Sequence, residues 1–171
     1  MRRQLVILGL CLAGLMSSCG YHLRGTGSSL PSHIQKMSIP MFKNFTTRYE
    51  LDVKLTQKVV EEMIARGKVE VTSERAQADA VLIGEILSFN VNPIAFAGQG
   101  SADRYNITIV AKIILRDVTR GRIIFSNPSF VYQQEYEVPQ GSDFESVETE
   151  AIAKIAERFA RSLVITILEG F

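Results

Sequence analysis

Residues 104–116 read RYNITIVAKIILR. In an extended chain Tyr105, Ile107, Ile109, Ala111, Ile113 and Leu115 point one way. Arg104, Asn106, Thr108, Lys112 and Arg116 point the other, interrupted only by Val110 and Ile114. A period of two with one apolar face is a strand lying half-buried on a core, and a one-residue slip would invert the whole pattern, so its register is firmly set. Asp117 to Gly121 supplies turn residues and Arg122 to Phe125 returns as a strand, giving an antiparallel hairpin. Asn127-Pro128 predicts a bulge or bend, because proline cannot donate to a ladder, and Phe130 to Val138 then resumes the strand.

Upstream, Ala80 to Val91 forms another long strand. Its odd positions Val81, Ile83, Leu87, Phe89 and Val91 make the dry side with Glu85 as the exception, and Gly84, Ser88 and Asn90 face away. Pro93 is expected to stop it before a loop around Gly98 to Ser101, although Ile94 and Phe96 are unusually apolar for such a place. Earlier still, His33 to Met41 alternates loosely and ends near Pro40, which predicts an edge strand. Thr47 and Glu50 fit a capping box. Leu51, Leu55, Val59 and Met63 follow at helical spacing, with Val60 and Ile64 in the same stripe and Gly67 as the stop. Lys68 to Thr72 is a short strand.

The chain closes with a second helix, opened by Ser142 and Glu145 as a capping box and reaching about Leu168. Phe144, Val147, Ala151, Ile152, Ile155, Phe159, Leu163 and Ile167 form its apolar stripe. Two one-striped helices and one-faced strands predict an α+β two-layer sandwich. Both helices pack on one face of a mostly antiparallel sheet of about four to five strands.

The N-terminus reads MRRQLVILGLCLAGLMSSCGYHLRG. Arg2 and Arg3 form a basic start, Leu5 to Met16 an apolar stretch of about a dozen residues against the roughly 20 needed to span a bilayer, and Ser17-Ser18 place small residues before Cys19. This pattern predicts a lipoprotein signal over residues 1–18, cleaved to leave Cys19 carrying an S-diacylglycerol and an N-acyl chain, although Met16 stands where leucine is usual. Residues 19–31 then form a lipidated start and a Gly/Ser linker, and 32–171 a single α/β domain held to a membrane by its anchor. Cys11 is lost with the signal, so no disulfide and no cysteine metal site is expected.

Lys plus Arg number 19 and Asp plus Glu 18. A balance so near zero predicts no nucleic-acid partner. His22 and His33 lack partners at useful spacing, and no metalloprotease, nucleophile-elbow or Walker motif occurs. GTGSS and GQGSA neither follow a strand nor open a helix as phosphate loops do. The chain is therefore expected to be neither an enzyme nor the holder of a metal or soluble cofactor.

The run Cys19-Gly20-Tyr21-His22-Leu23-Arg24-Gly25, with Ala78 to Leu82 as a second point of similarity, resembles the LPS-assembly lipoprotein family LptE. Mature members of that family commonly begin with a lipidated cysteine followed by Gly-Phe/Tyr-His-Leu-Arg-Gly. The resemblance implies an outer-membrane lipoprotein facing the periplasm and inserted in the lumen of the β-barrel translocon LptD. There it would act as plug, assembly factor and lipopolysaccharide-contacting partner. Gly20, rather than Asp, agrees with outer-membrane sorting in enteric lipoproteins.

On that expectation two surfaces are candidates. Arg104, Lys112 and Arg116, in line with Asn106 and Thr108, could meet phosphates or a polar barrel lumen, although an ordinary solvated sheet face gives the same alternation. Ile94 and Phe96 form a candidate partner-facing loop. The rival reading is an accessory lipoprotein of another envelope secretion or assembly machine. An envelope hydrolase would need a constellation built from scattered Asp, Glu or Ser.

Overall fold

The alternating segment becomes the central antiparallel strand of a six-stranded sheet. A computed structural model describes residues 30–96, 102–139 and 144–169, the side chains of 144–146 excepted. In chain order the elements are β1 (Lys36–Ser38), β2 (Lys43–Asn44), α1 (Leu51–Arg66), β3 (Glu70–Thr72), β4 (Ala80–Phe96), β5 (Ala102–Asp117), β6 (Arg122–Glu137) and α2 (Phe144–Glu169). The sheet order is β3-β1-β4-β5-β6, with β2 joining β4 farther along its length. β4, β5 and β6 pair antiparallel, whereas β1 and β2 run parallel to β4. The sixth strand beyond the expected four to five is β2, only two residues long and so without a readable period.

β5 behaves as its pattern dictates. Ile107, Ile109, Ala111, Ile113 and Leu115 are fully buried beneath the helices. Leu55, Val59 and Met63 of α1 and Ile155, Phe159 and Leu163 of α2 join them in one continuous core. Phe159 meets the rings of Phe130 and Tyr132 edge-on, at centroid distances of 5.6 and 6.0 Å. Each large apolar side chain buried in this way contributes roughly 1.5–3 kcal/mol. The hairpin turn is also as expected: Gly121 has a φ of 65°, and the Asp117 carboxylate accepts from the Thr119 hydroxyl and the Arg120 N–H. A register irregularity falls at Pro128-Ser129, between the Phe130 and Asn127 pairings.

β4 differs from its expected facing. Leu82 pairs with Leu115, Gly84 with Ile113 and Ile86 with Ala111, so even positions face the core in its first half. Leu87 is then an extra residue: Ser88 pairs with Val110 and Phe89 with Ile109. One bulge residue switches the side-chain parity, which is why both halves look apolar at odd positions although only the second half uses them for the core. Glu85 is accordingly no exception on a dry face; it lies on the outer face opposite Lys112. β4 also continues past Pro93 to Phe96. Proline is tolerated there because from Ser88 onward, among the described residues, β4 has a neighbour on one side only.

Three further expectations change. β1 lies between β3 and β4 rather than at the edge. Pro40 falls in the gap between β1 and β2, where no ladder donor is needed. The Thr47 capping box does not form: α1 begins after Glu50, a left-handed residue at φ 56° with no side-chain cap. The approach is instead folded by Asn44, whose carboxamide accepts from Thr46 N–H and donates to Arg48 O at 2.7 Å. Ile64 leaves the α1 stripe and is 57% exposed, while Gly67, at φ 60°, ends the helix as its position suggests. The Ser142 capping box and residues 1–29, Cys19 included, lie outside the described residues.

Candidate partner-facing surface

Two faces of the sheet have different fates. The inner one is sealed by α1 and α2. The outer one is open and mixes polar side chains with the exposed Ile123 and Val131, and beyond Leu87 the three long strands run on as a ribbon whose β4 end carries Ile94 and Phe96, 46% and 64% exposed. Both belong to β4 itself rather than to a loop. A shallow cleft of about 370 Å³ is lined by Ile94, Asn106, Gln133, Gln134 and Glu135. The cleft beside this apolar tip therefore offers amides and a carboxylate, with Arg104, opposite Ala95 on β5, as the neighbouring cation.

The expected cationic stripe is present on one face but is largely matched by acids. Lys112 Nζ is 3.1 Å from Glu85, which Lys43 also approaches at 3.9 Å, and Arg104 lies 3.0 Å from Glu137. Such exposed pairs contribute about 0–1 kcal/mol of stability, but they remove most of the attraction the stripe would exert on a phosphate. Among the described residues Arg116 is the member without an ion-pair partner. Arg104 and Arg116 stand twelve residues apart on one strand, about 40 Å. The three cations therefore cannot converge on one small anion, and the face can only meet an extended surface.

A polar cluster that the sequence did not signal sits at the opposite end of the sheet. His33 Nε2 lies 2.9 Å from Asp117 Oδ2, a carboxylate with no exposed surface, across 84 positions of sequence. Burial pushes the Asp117 carboxyl up. Donation from the Thr119 hydroxyl, the Arg120 N–H and His33 outweighs that and holds it well below the usual carboxylate range. Next to it, Asp79 accepts the backbone N–H groups of Gln35 and Lys36, each at 2.9 Å, which lower its carboxyl as well. These bonds fasten the start of the described chain to the β4–β5 end. The Thr119 hydroxyl donates to the Asp117 carboxylate at 2.7 Å rather than to the His33 imidazole. Among the described residues no group of three or more His, Cys, Asp or Glu could hold a metal ion. A second cleft, of about 340 Å³ between β6 and α2, has Glu150 and Glu137 among its lining beside Lys154 and Arg158, a mixture that selects neither sign of ligand.

A helix pair over one sheet face, with the other face open, places the chain among small two-layer α+β domains. A hypothetical protein from Chlamydia trachomatis shares the fold at a TM-score of 0.55 and 11% identity, over 81% of this chain and 97% of its own. A protein from Xanthomonas campestris matches at 0.53 and 14% identity, over 81% and 88%. Rare lipoprotein B from Shewanella oneidensis is similar at 0.45 and 15% identity, over 77% and 96%. No curated protein matches in sequence.

The family model described as LptE, lipopolysaccharide-assembly, matches residues 34–167, and the chain belongs to that family. At family level it is a lipopolysaccharide-assembly lipoprotein. The match lies wholly outside Cys19 to Gly25, so the sandwich carries the membership independently of the N-terminal run.

Proposed function

We propose that this chain is a non-enzymatic outer-membrane lipoprotein, held by lipid on Cys19 after loss of residues 1–18. Its domain, residues 32–171, faces the periplasm and sits in the lumen of the lipopolysaccharide-export barrel LptD as plug and assembly partner. The observation that carries this reading is the family match over the sandwich. It is supported by an outer sheet face that suits a polar lumen: neutral amides, and cations already balanced by Glu85 and Glu137. Ile94 and Phe96 supply the apolar anchor of the contact. Arg104, Lys112 and Arg116 line the same face toward barrel or lipopolysaccharide, Arg116 as the one of the three without an ion-pair partner among the described residues. Affinity purification of the full chain from detergent-solubilised outer membrane tests this. A large β-barrel recovered at near-equal amount is the expected result; recovery of a different envelope machine, or of no barrel, overturns it.

A further inference from the structure

The edge of β4 is used unevenly. β1 pairs with it at Ala80 and Val81, and β2 at Glu85 and Ile86, with Phe45 N–H donating to Ile86 O at 2.9 Å as β2 departs. From Ser88 to Phe96, among the described residues, that side has no strand against it. Exposed edges of soluble proteins are ordinarily blunted by charge, bulges or shortness. β3 is three residues long, and β6 carries Arg122, Pro128, Glu135 and Glu137 together with two register irregularities. Ser88 to Phe96 reads SFNVNPIAF, without one charge; its breakers, Pro93 and the register irregularities from Pro93 to Phe96, all lie at the far end, so Ser88 to Asn92 stays regular. Apolar side chains stand exposed along its approaches: Phe45 (63%), Leu87 (41%), Ile94 and Phe96.

We propose that this edge takes up an extended, uncharged strand of the barrel partner by main-chain pairing, extending the sheet where β2 leaves it. Main-chain hydrogen bonds supply the attraction, and Phe45, Leu87, Ile94 and Phe96 select apolar side chains on the incoming strand. Pro93 divides the edge, so the longest continuous pairing runs over Ser88 to Asn92. A second copy of this chain is the weaker occupant. A ribbon this short falls below the roughly 1,200 Å² of a specific free-standing interface, whereas a partner that surrounds the domain holds it by other surfaces too. The inference rests on the barrel reading above and adds to it the mode of contact.

The test places p-benzoylphenylalanine singly at Ser88, Asn90, Asn92, Ile94 and Phe96 of the full chain in cells. Crosslinks are mapped by mass spectrometry, and barrel copurification is measured in parallel. Strand addition predicts that Ser88, Asn90 and Asn92 capture barrel residues stepping along one continuous segment in fixed register, with a two-residue step on each side, while Ile94 and Phe96, beyond the irregularity at Pro93, capture the same segment without that fixed step. Asn92→Lys combined with Ile94→Lys should lower copurified barrel at least roughly tenfold, about 1.4 kcal/mol, with unchanged circular dichroism. Copurification with scattered crosslinks, or with none, overturns the strand addition while leaving the barrel reading standing. Crosslinks between copies of this chain overturn the occupant, and absence of the barrel overturns both.

Discussion

The Phe42 ring lies directly over Gly84: a Cβ built on that glycine would stand 2.6 Å from the ring's Cγ. Gly84 faces the core opposite Ile113, and the ring of Phe42, 2% exposed, fills the space a side chain would occupy. The Phe42 N–H, meanwhile, donates to Thr56 on α1 at 3.0 Å, pinning the segment between helix and sheet. Gly84→Ala should therefore destabilise the domain by about 1–3 kcal/mol through overpacking. Urea unfolding measures it, and Phe42→Leu in the same chain should recover part of the loss.

The bulge at Leu87 makes a deletion informative. Removing Leu87 leaves Ile86 opposite Ala111 and Ser88 opposite Val110, so both halves of β4 keep their pairing. Removing Phe89 instead shifts everything beyond it by one residue and turns Val91 away from the core. The Leu87 deletion should fold with native-like amide exchange protection in β4 and β5. The Phe89 deletion should cost at least about 3 kcal/mol and lose that protection.

Asp117 gives the domain an acid sensitivity of definite sign. Its carboxyl is held below its ordinary value in the folded state, so its contribution is complete above the unfolded value, about 3.9, and is lost as pH falls below that toward the folded value. Thermal midpoints should decline below about pH 4 in the wild type. Asp117→Asn should lower the midpoint at neutral pH and flatten the acid limb, with scanning calorimetry across pH as the measurement.

Adjacent residues of α1 should respond oppositely. Met63 has no exposed surface, and Met63→Ala should cost about 2–5 kcal/mol. Ile64 is 57% exposed, and Ile64→Ser should stay within about 0.5 kcal/mol of wild type. Equal losses in chemical denaturation would place Ile64 in the core and contradict the packing described.

Sequence alone determined the elements whose side chains repeat with a clean period: β5, the hairpin through Gly121, the irregularity near Pro128, the apolar stripe of α2 and the α+β layering. Local alternation is caused by the same geometry that buries it, so the pattern can be read without partners. Tertiary structure decided what depends on a neighbour. The parity of β4 was hidden because one bulge residue, visible only against β5, exchanges its faces. Ile94 and Phe96 moved from loop to strand because Pro93 is harmless on an edge, and whether a strand is an edge is a property of the sheet. The cationic stripe was legible as a row of residues, but its matching by Glu85 and Glu137 was not, since those acids arrive from other strands. The His33–Asp117 pair could not be found by any spacing rule. Its 84-residue separation closes only when the start of the domain folds back onto the end of β5.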